Sequence, residues 1–162
     1  MKNAYIFDID STLSDNSQRV HYILPPEGAI HFNIDELDWQ PDWESFYADC
    51  KNDKPIRDVA RLARDLISAG KAILFVTGRP EKCRKDTTLW LQRYITASDF
   101  PILLYMRKNG DYRQDAVVKK EIYETILKDS WWIEGVFEDR TQCVNMWRKL
   151  GLTCYQVAEG DY

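Results

Sequence analysis

The sequence predicts a doubly wound α/β fold, in which helices cover both faces of a parallel sheet. An apolar segment of strand length at 4–7 ends in acidic residues, and a second one at 71–76 directly follows an amphipathic helical pattern. A strand that is buried on both faces and follows a helix is typical of parallel βα units. Because such sheets bind ligands outside the carboxyl ends of their strands, we expect the functional residues in the loops at that edge.

The first strand leads into two aspartates and a turn rich in hydroxyl groups. Asp8 and Asp10 stand one position apart and are followed by Ser11 and Thr12. Alternate side chains of a strand share a direction, so the two carboxylates are expected to lie close together and attract a divalent cation. An aspartate neutralised by a metal can attack phosphorus while a second one moves the proton. The pair alone is equally compatible with a simple turn, in which Asp is common.

Length and composition limit the classes of protein that fit. The 162 residues suit one domain, and the net charge of −4 argues against non-specific coating of nucleic acid, although it permits a local basic groove. No apolar segment reaches the roughly 18 residues of a membrane span, and Asp8 interrupts the N-terminal apolar segment too early for a signal peptide. We therefore expect a cytoplasmic protein without a membrane span, and the sequence identifies no protein partner.

Cysteine and histidine offer little support for other chemistries. The four cysteines lack Cys-x-x-Cys spacing, so we expect them to be reduced and not to bind zinc. With only His21 and His31 available, a histidine metal site or a Ser-His-Asp triad is poorly supported.

The segment after the first strand has a mixed character. Residues 14–20 are polar, include Arg19, and are expected to form a loop or a short helix, whereas residues 27–53 interleave aromatic with acidic side chains. We interpret residues 21–54 approximately as a small cap inserted into a single domain that covers 1–162, with a short helix at 41–51 beginning near Pro41. Its aromatic side chains either pack against the main domain or line a cleft and stack on bases.

Helices and strands alternate through the rest of the chain. The pattern predicts helices at 55–70, 81–95, 115–127 and 141–150, and strands at 71–76, 100–106, 131–137 and 153–157. Gly70 and Gly151 stand where helices end, and Asp115 is placed to cap the N-terminus of the third of these helices.

Residues suited to phosphoryl transfer fall at these strand ends and helix starts. They are Asp8, Asp10, Thr77, Lys119, Glu138 and Asp139. Such a reaction needs a nucleophile, an acid/base partner, a hydroxyl and a cation for the phosphate oxygens, and carboxylates for Mg²⁺. Taken one at a time, Lys119 would be a solvated helix lysine, Asp115 a helix cap and Arg19 a surface residue.

The motifs resemble those of the haloacid dehalogenase (HAD) superfamily. The segment 8–12 is similar to its first motif, Thr77 to its second, Lys119 to its third, and Glu138 with Asp139 to its fourth. Within the superfamily, the chain is most similar to the 3′-phosphatase domain of bacteriophage polynucleotide kinase. The similarity lies in the segments 77–79, 115–119, 138–142, 146–148 and 156–162.

The resemblance implies a Mg²⁺-dependent phosphomonoesterase that hydrolyses the 3′-phosphate ends of polynucleotides through an aspartyl-phosphate intermediate. It implies a HAD-like, Rossmann-type sheet with a small cap and four catalytic residues: Asp8 as nucleophile, Asp10 as acid/base, and Thr77 and Lys119 on the phosphoryl group. The implied substrate-binding residues are Arg19, Gly78, Arg79 and Asp115, and the implied metal ligands are Asp8, Asp10, Glu138 and Asp139.

Three departures from that family affect the expected function. Ser11 replaces the usual Gly, a mild change if its φ is negative, and Glu138 replaces the usual Asp, which leaves direct or water-mediated metal contact open.

The insertion is also longer, so a nucleoside monophosphate phosphatase with the insertion as a lid is an alternative. A non-catalytic module that binds phosphorylated ends is another. Five basic residues lie near the predicted strand ends, and we expect them either to contact a phosphate backbone or to be ordinary surface charges: Lys82, Arg84, Lys85, Arg107 and Lys108.

Kinase activity is not expected of this chain. The phosphate-binding loop of kinases requires Gly, four residues, Gly-Lys and then Ser or Thr. The Gly70-Lys71 pair is followed by Ala72 and has Asp65 at the position of the first glycine.

Overall fold

The computed structural model describes residues 2–25, 39–97 and 100–160. In chain order its strands are β1 (Lys2–Phe7), β2 (Ser14–Asp15), β3 (Lys54–Pro55), β4 (Ala72–Pro80), β5 (Leu103–Arg107), β6 (Trp131–Arg140) and β7 (Cys154–Gly160). Five of them form one sheet in the order β5-β4-β1-β6-β7, in which every pair is parallel. The short strands β2 and β3 form a separate antiparallel pair.

Five α-helices accompany these strands in the described residues. They are α1 (Trp43–Ala48), α2 (Arg57–Ser68), α3 (Arg84–Tyr94), α4 (Asp115–Ile122) and α5 (Thr141–Lys149). The α4 helix continues as a π turn over Tyr123–Leu127, and 3₁₀ turns cover Ser17–Tyr22, Asp49–Asn52 and Glu81–Cys83. Within the described residues, we find no helix with the length and apolar character needed to span a membrane.

Helices pack on both faces of the sheet, which confirms the predicted α/β fold. On one face α2 and α3 enclose a core that includes Phe7, Ala63, Phe75 and Leu91. On the other face α4 and α5 enclose a core that includes Ile6, Leu74, Val118 and Trp147. Adjacent residues of β1 and β4 therefore belong to different cores, as the alternation of side chains along a strand requires.

Two strands extend further than their apolar patterns indicate. β4 runs to Pro80 and β6 to Arg140, and each shifts its register against a neighbour, between Thr77 and Pro80 and between Glu138 and Arg140. The predicted ends, near 76 and 137, mark the loss of apolar side chains rather than of strand pairing. Bulges of this kind bend a strand end and change the direction of its side chains, which suits a functional edge.

The direction of winding reverses beside the first strand. Strands β4 and β5 lie on one side of β1, whereas β6 and β7 lie on the other. The ends of β1 and β6 are joined where the Asp8 amide donates to the Phe137 carbonyl at 3.0 Å. In doubly wound sheets this reversal creates the crevice in which ligands bind.

Only part of the expected cap, 21–54, is described. Residues 26–38, including His31, lie outside the described residues. The expected short helix is α1, and it begins after Asp42, whose carboxylate accepts a hydrogen bond from the Ser45 amide at 2.9 Å. Its Phe46 ring is buried and lies 4.1 Å from the guanidinium carbon of Arg19. The α1 helix therefore packs against the 3₁₀ turn Ser17–Tyr22, which carries Arg19.

Candidate active site

A cleft of about 680 Å³ opens at the carboxyl ends of β1, β4 and β6. It is lined by most of the residues that the sequence singled out: Asp8, Asp10, Thr77, Gly78, Asp115, Lys119, Glu138 and Asp139. Arg19 and Arg79 are fully buried and reach the cleft through their contacts with Asp10. The ten candidate residues therefore form one connected site.

A buried lysine joins two acidic residues at the base of the cleft. The Lys119 ammonium, from α4, lies 2.8 Å from an Asp8 carboxylate oxygen and 2.7 Å from Oε2 of Glu138. Burial, followed by the charge of Glu138, raises the pKa of Asp8 well above its usual value, against the influence of Lys119. Burial alone would lower the pKa of Lys119, but Asp8 and Glu138 raise it. Lys119 therefore carries the positive charge that these two carboxylates require.

Three carboxylates at this point are close enough to share a cation. Among the described residues, Asp8, Glu138 and Asp139 each offer an oxygen within 4.8 Å of the others. Oδ1 of Asp139 accepts from the Thr12 hydroxyl at 3.2 Å, and the Trp147 indole donates to Glu138 at 3.4 Å. Oxygen ligands from a few carboxylates suit Mg²⁺, so the residues fit the expected cofactor. The carboxylate of Asp10, the fourth expected ligand, is not part of this group.

The Asp10 carboxylate instead lies against two buried guanidinium groups. Nη2 of Arg19 and Nη2 of Arg79 each lie 2.5 Å from its Oδ1, and the Ser14 hydroxyl donates to the same oxygen at 3.2 Å. Burial alone would raise the pKa of Asp10, but the charges of Arg79 and Arg19 hold it below its usual range. Arg19 is therefore not a surface residue, because its side chain is 0% exposed.

This contact makes the stability of the protein depend on pH. A carboxylate with a lowered pKa in the folded state stabilises the fold above about pH 4, and the effect is lost as the pH falls towards the folded-state pKa. We expect Asp10→Asn to cost about 3 kcal/mol at pH 7, as for other broken buried ion pairs, and less at pH 3. Urea unfolding of the wild-type and Asp10→Asn proteins at pH 7 and pH 3 measures the loss in free energy of unfolding. An equal loss at the two pH values would contradict the prediction.

The end of β4 forms a tight contact with the start of α4. The Thr77 hydroxyl accepts from the Arg79 amide at 3.2 Å, and the Gly78 carbonyl accepts from Nε of Arg107 at 2.8 Å. A Cβ at position 78 would lie 2.6 Å from Oδ1 of Asp115. Position 78 therefore requires glycine because the Asp115 carboxylate occupies the space of a side chain.

Asp115 does not cap α4, contrary to the sequence prediction. The N-cap is Gln114, and Asp115 is the first residue of the helix. Its carboxylate accepts from Arg107 and, at 2.8 Å, from Nη1 of Arg140. The physical reason is that two guanidinium groups bind a carboxylate more strongly than the backbone amides of a helix start.

Replacing Gly78 by Ala tests this packing. We expect the methyl group to displace Asp115, with a loss of about 1–3 kcal/mol from overpacking and roughly 10²-fold lower activity from the shifted cleft wall. Urea unfolding and phosphate release measure the two effects. In the double variant with Asp115→Ala the clash is removed, so the stability losses should be smaller than additive; additive losses would contradict the proposed clash.

The turn after Asp10 also differs from the expectation. Ser11 has a φ of 60°, in the left-handed region, whereas a mild replacement of glycine required a negative φ. The Ser11 amide donates to the Ser14 carbonyl at 2.8 Å and its hydroxyl to the Asn16 side chain at 2.9 Å. These hydrogen bonds hold a conformation that costs a non-glycine residue roughly 1–2 kcal/mol.

The comparison with known proteins agrees with this geometry. The family model described as the polynucleotide kinase PNKP phosphatase domain matches residues 43–162, which is most of the chain. The chain belongs to this family. It is thus a HAD phosphatase, a hydrolase of phosphoric monoesters. Asp8 and Asp10 precede the matched range, so their assignment depends on the motif and on the contacts described above.

The relatives of this PNKP-type phosphatase domain are longer proteins. It is 29% identical over 143 residues to a protein of Autographa californica nuclear polyhedrosis virus named "Putative bifunctional polynucleotide kinase/RNA ligase", covering 83% of this chain and 20% of that protein. It also resembles a chain of the "Pnkp1/Rnl/Hen1 complex", with a TM-score of 0.78 and 28% identity over 100% of this chain and 47% of that one. The phosphatase domain therefore spans half or less of these relatives.

More distant structures share its fold. A haloacid dehalogenase-like hydrolase from Streptococcus pneumoniae has a TM-score of 0.64 at 14% identity, with coverage of 96% of this chain and 84% of the other. This likeness extends over nearly the whole phosphatase domain and confirms the HAD-like sheet.

Several residues around the site of this phosphatase were missed or misread in the sequence. Tyr47 and Arg113 line the cleft together with the expected Lys82 and Lys108. Arg107 was also expected and also lines the cleft, where it pairs with Asp115. Arg84 pairs with Glu81, and Lys85 is exposed without lining the cleft. Arg113 was missed because it lies in an irregular loop that carries no periodic signal. Tyr47, in α1, fits one of the two placements left open for the aromatic side chains of the insertion.

Proposed function

We propose that this chain removes the terminal phosphate from the 3′ ends of polynucleotides, with Asp8 as the nucleophile. The observation that carries the proposal is the contact of Asp8 with Lys119 beside two further carboxylates. The proposed nucleophile, cation and metal ligands lie together at one edge of the sheet, as transfer through an aspartyl-phosphate requires. Membership of the PNKP phosphatase family and the likeness to a viral polynucleotide kinase/RNA ligase support the choice of substrate.

In the proposed reaction an oxygen of Asp8 attacks phosphorus and the 3′ oxygen leaves. Asp10 must first take up a proton, against the charges of Arg19 and Arg79 that lower its pKa. It passes this proton to the leaving oxygen and regains one from the water that hydrolyses the aspartyl-phosphate. Lys119 and the Thr77 hydroxyl hold the phosphoryl oxygens, with Lys119 already 2.8 Å from Asp8. Mg²⁺ held by Asp8, Glu138 and Asp139 would offset the negative charge of phosphate and carboxylates.

The residues that line the cleft favour a polymer over the alternatives. Beyond the reacting residues, the wall carries Lys82, Lys108 and Arg113 with the aromatic Trp43 and Tyr47. Cations beside aromatic rings suit a phosphate backbone and its bases. A mononucleotide phosphatase is the second candidate, because an insertion at about 21–54 that acts as a lid would exclude a polymer. The complete set of reacting residues disfavours a module that only binds phosphorylated ends.

A panel of substrates tests the proposal. With Mg²⁺ present, we expect faster phosphate release from a 3′-phosphorylated oligonucleotide than from 3′- or 5′-mononucleotides, and strong weakening of the oligonucleotide reaction by added salt. Preference for a mononucleotide would identify a nucleotidase. Binding without turnover of any substrate would identify the non-catalytic module. Activity that persists in EDTA would remove Mg²⁺ from the mechanism.

A further inference from the structure

We propose that Asp53, a residue outside the cleft, is a positioning residue that holds Arg19 and Arg79 in place and through them orients Asp10. The inference depends on the proposed function of Asp10 as the acid/base. Asp53 is not among the residues that line the cleft, and its side chain is 0% exposed. It can therefore act on the reaction only through the groups that it contacts.

Both guanidinium groups that reach Asp10 also bind Asp53. Oδ1 of Asp53 accepts from Nε of Arg19 at 2.9 Å, and Oδ2 accepts from Nη2 of the same residue at 2.8 Å. Nη2 of Arg79 donates to Oδ2 at 3.0 Å. Each arginine thus bridges a buried carboxylate and a cleft-facing one, and Asp53 is the partner that faces away from substrate.

The backbone fixes Asp53 independently of the arginines. Asp53 lies between the 3₁₀ turn Asp49–Asn52 and β3, and its carbonyl accepts from the Trp90 indole of α3 at 2.8 Å. Its amide donates to the Cys50 carbonyl at 3.4 Å. The carboxylate is therefore anchored to the main domain, and it gives the arginines a fixed support.

The charges of Asp53, Asp10 and the two arginines explain why loss of Asp53 would affect the reaction. Two aspartates and two arginines form a buried group with no net charge, because Asp53 balances one guanidinium and Asp10 the other. Without the Asp53 charge, two guanidinium groups would converge on Asp10 alone. With no fixed support, the guanidinium groups would shift together with the Asp10 carboxylate, which would leave the position from which it reaches the leaving oxygen.

The test compares leaving groups that need a proton with one that does not. For Asp53→Asn we expect kcat on a 3′-phosphorylated oligonucleotide to fall roughly 10- to 100-fold, a part of what acid/base catalysis contributes. On p-nitrophenyl phosphate, whose phenolate leaves without a proton, the loss is measured on the first-turnover burst of phenolate, which precedes the step in which Asp10 takes a proton from water. This loss should be at least tenfold smaller. KM should change little on either substrate. A merely structural defect would lower both reactions equally, and equal losses or no loss would overturn the proposal.

Two further variants keep the test decisive. Gln18 also contacts Asp53, at 3.2 Å, but carries no charge, so Gln18→Ala should keep near-normal kcat on both substrates. If thermal unfolding shows that Asp53→Asn does not fold, the experiment uses Asp53→Glu instead. The glutamate variant keeps the charge but displaces the carboxylate. It should show the same dependence on the leaving group, and equal losses would again overturn the proposal.

The proposed function and this inference fail separately. If the wild-type chain does not release phosphate from the oligonucleotide, the proposed substrate is wrong. The comparison with p-nitrophenyl phosphate then uses the alkyl phosphate that the wild-type chain does hydrolyse, such as a nucleoside 3′-monophosphate.

Discussion

Asp8→Asn is expected to lower phosphate release by about 10⁴-fold or more, as for other enzymes that lose their nucleophile. The amide has nearly the same shape as the carboxylate but cannot form an acyl phosphate by attack on phosphorus. Lys119 and Glu138 keep their 2.7 Å ion pair in the variant, so the fold should be retained. Phosphate release under single-turnover conditions, with circular dichroism as a check of folding, measures the effect.

The exposed Asp129 provides the matched control for this experiment. Asp129→Asn removes the same charge far from the cleft, and its activity should equal that of the wild-type chain. Substantial turnover by a folded Asp8→Asn protein would show that Asp8 is not the nucleophile.

Lys119→Met is expected to reduce both activity and stability. It leaves Asp8 and Glu138 as neighbouring buried carboxylates without their shared cation. Loss of one partner from a buried ion pair costs about 3–5 kcal/mol, and loss of a donor to a developing oxyanion costs about 10²–10³ in kcat. Urea unfolding in EDTA isolates the first effect, and phosphate release with Mg²⁺ measures the second.

The adjacent Lys120 is the control for Lys119. Its side chain is 49% exposed and pairs with Glu124, so Lys120→Met should change stability by less than about 1 kcal/mol. Equal effects of the two substitutions would mean that burial beside Asp8 gives Lys119 no special role.

Strand ends could be predicted from the sequence because two independent signals meet there. An apolar segment that stops at an acidic or hydroxyl residue indicates both a strand and the edge where ligands bind. This reasoning placed Asp8, Thr77 and Glu138 at the carboxyl ends of three strands, which the structure brings to one cleft.

Residues that act through burial could not be predicted in the same way. Asp53 follows a short polar segment and looks like an ordinary turn residue, and nothing in the chain links it to Arg19 or Arg79, which lie 34 and 26 residues away. The predicted role of Asp115 as a helix cap was wrong for a similar reason, since its partners Arg107 and Arg140 come from two other strands. Pairings of this kind become visible only in three dimensions.

The order of the strands also has a consequence for folding. The first strand pairs with β4 and β6, and the hydroxyl of Thr12 contacts a carboxylate 127 residues later in the chain. Such contacts raise the relative contact order, and loop closure then slows folding. During synthesis the proposed nucleophile Asp8 emerges long before the proposed metal ligands Glu138 and Asp139. We therefore expect the reactive centre to mature after translation of β6, with no phosphatase activity in nascent chains that stop before it.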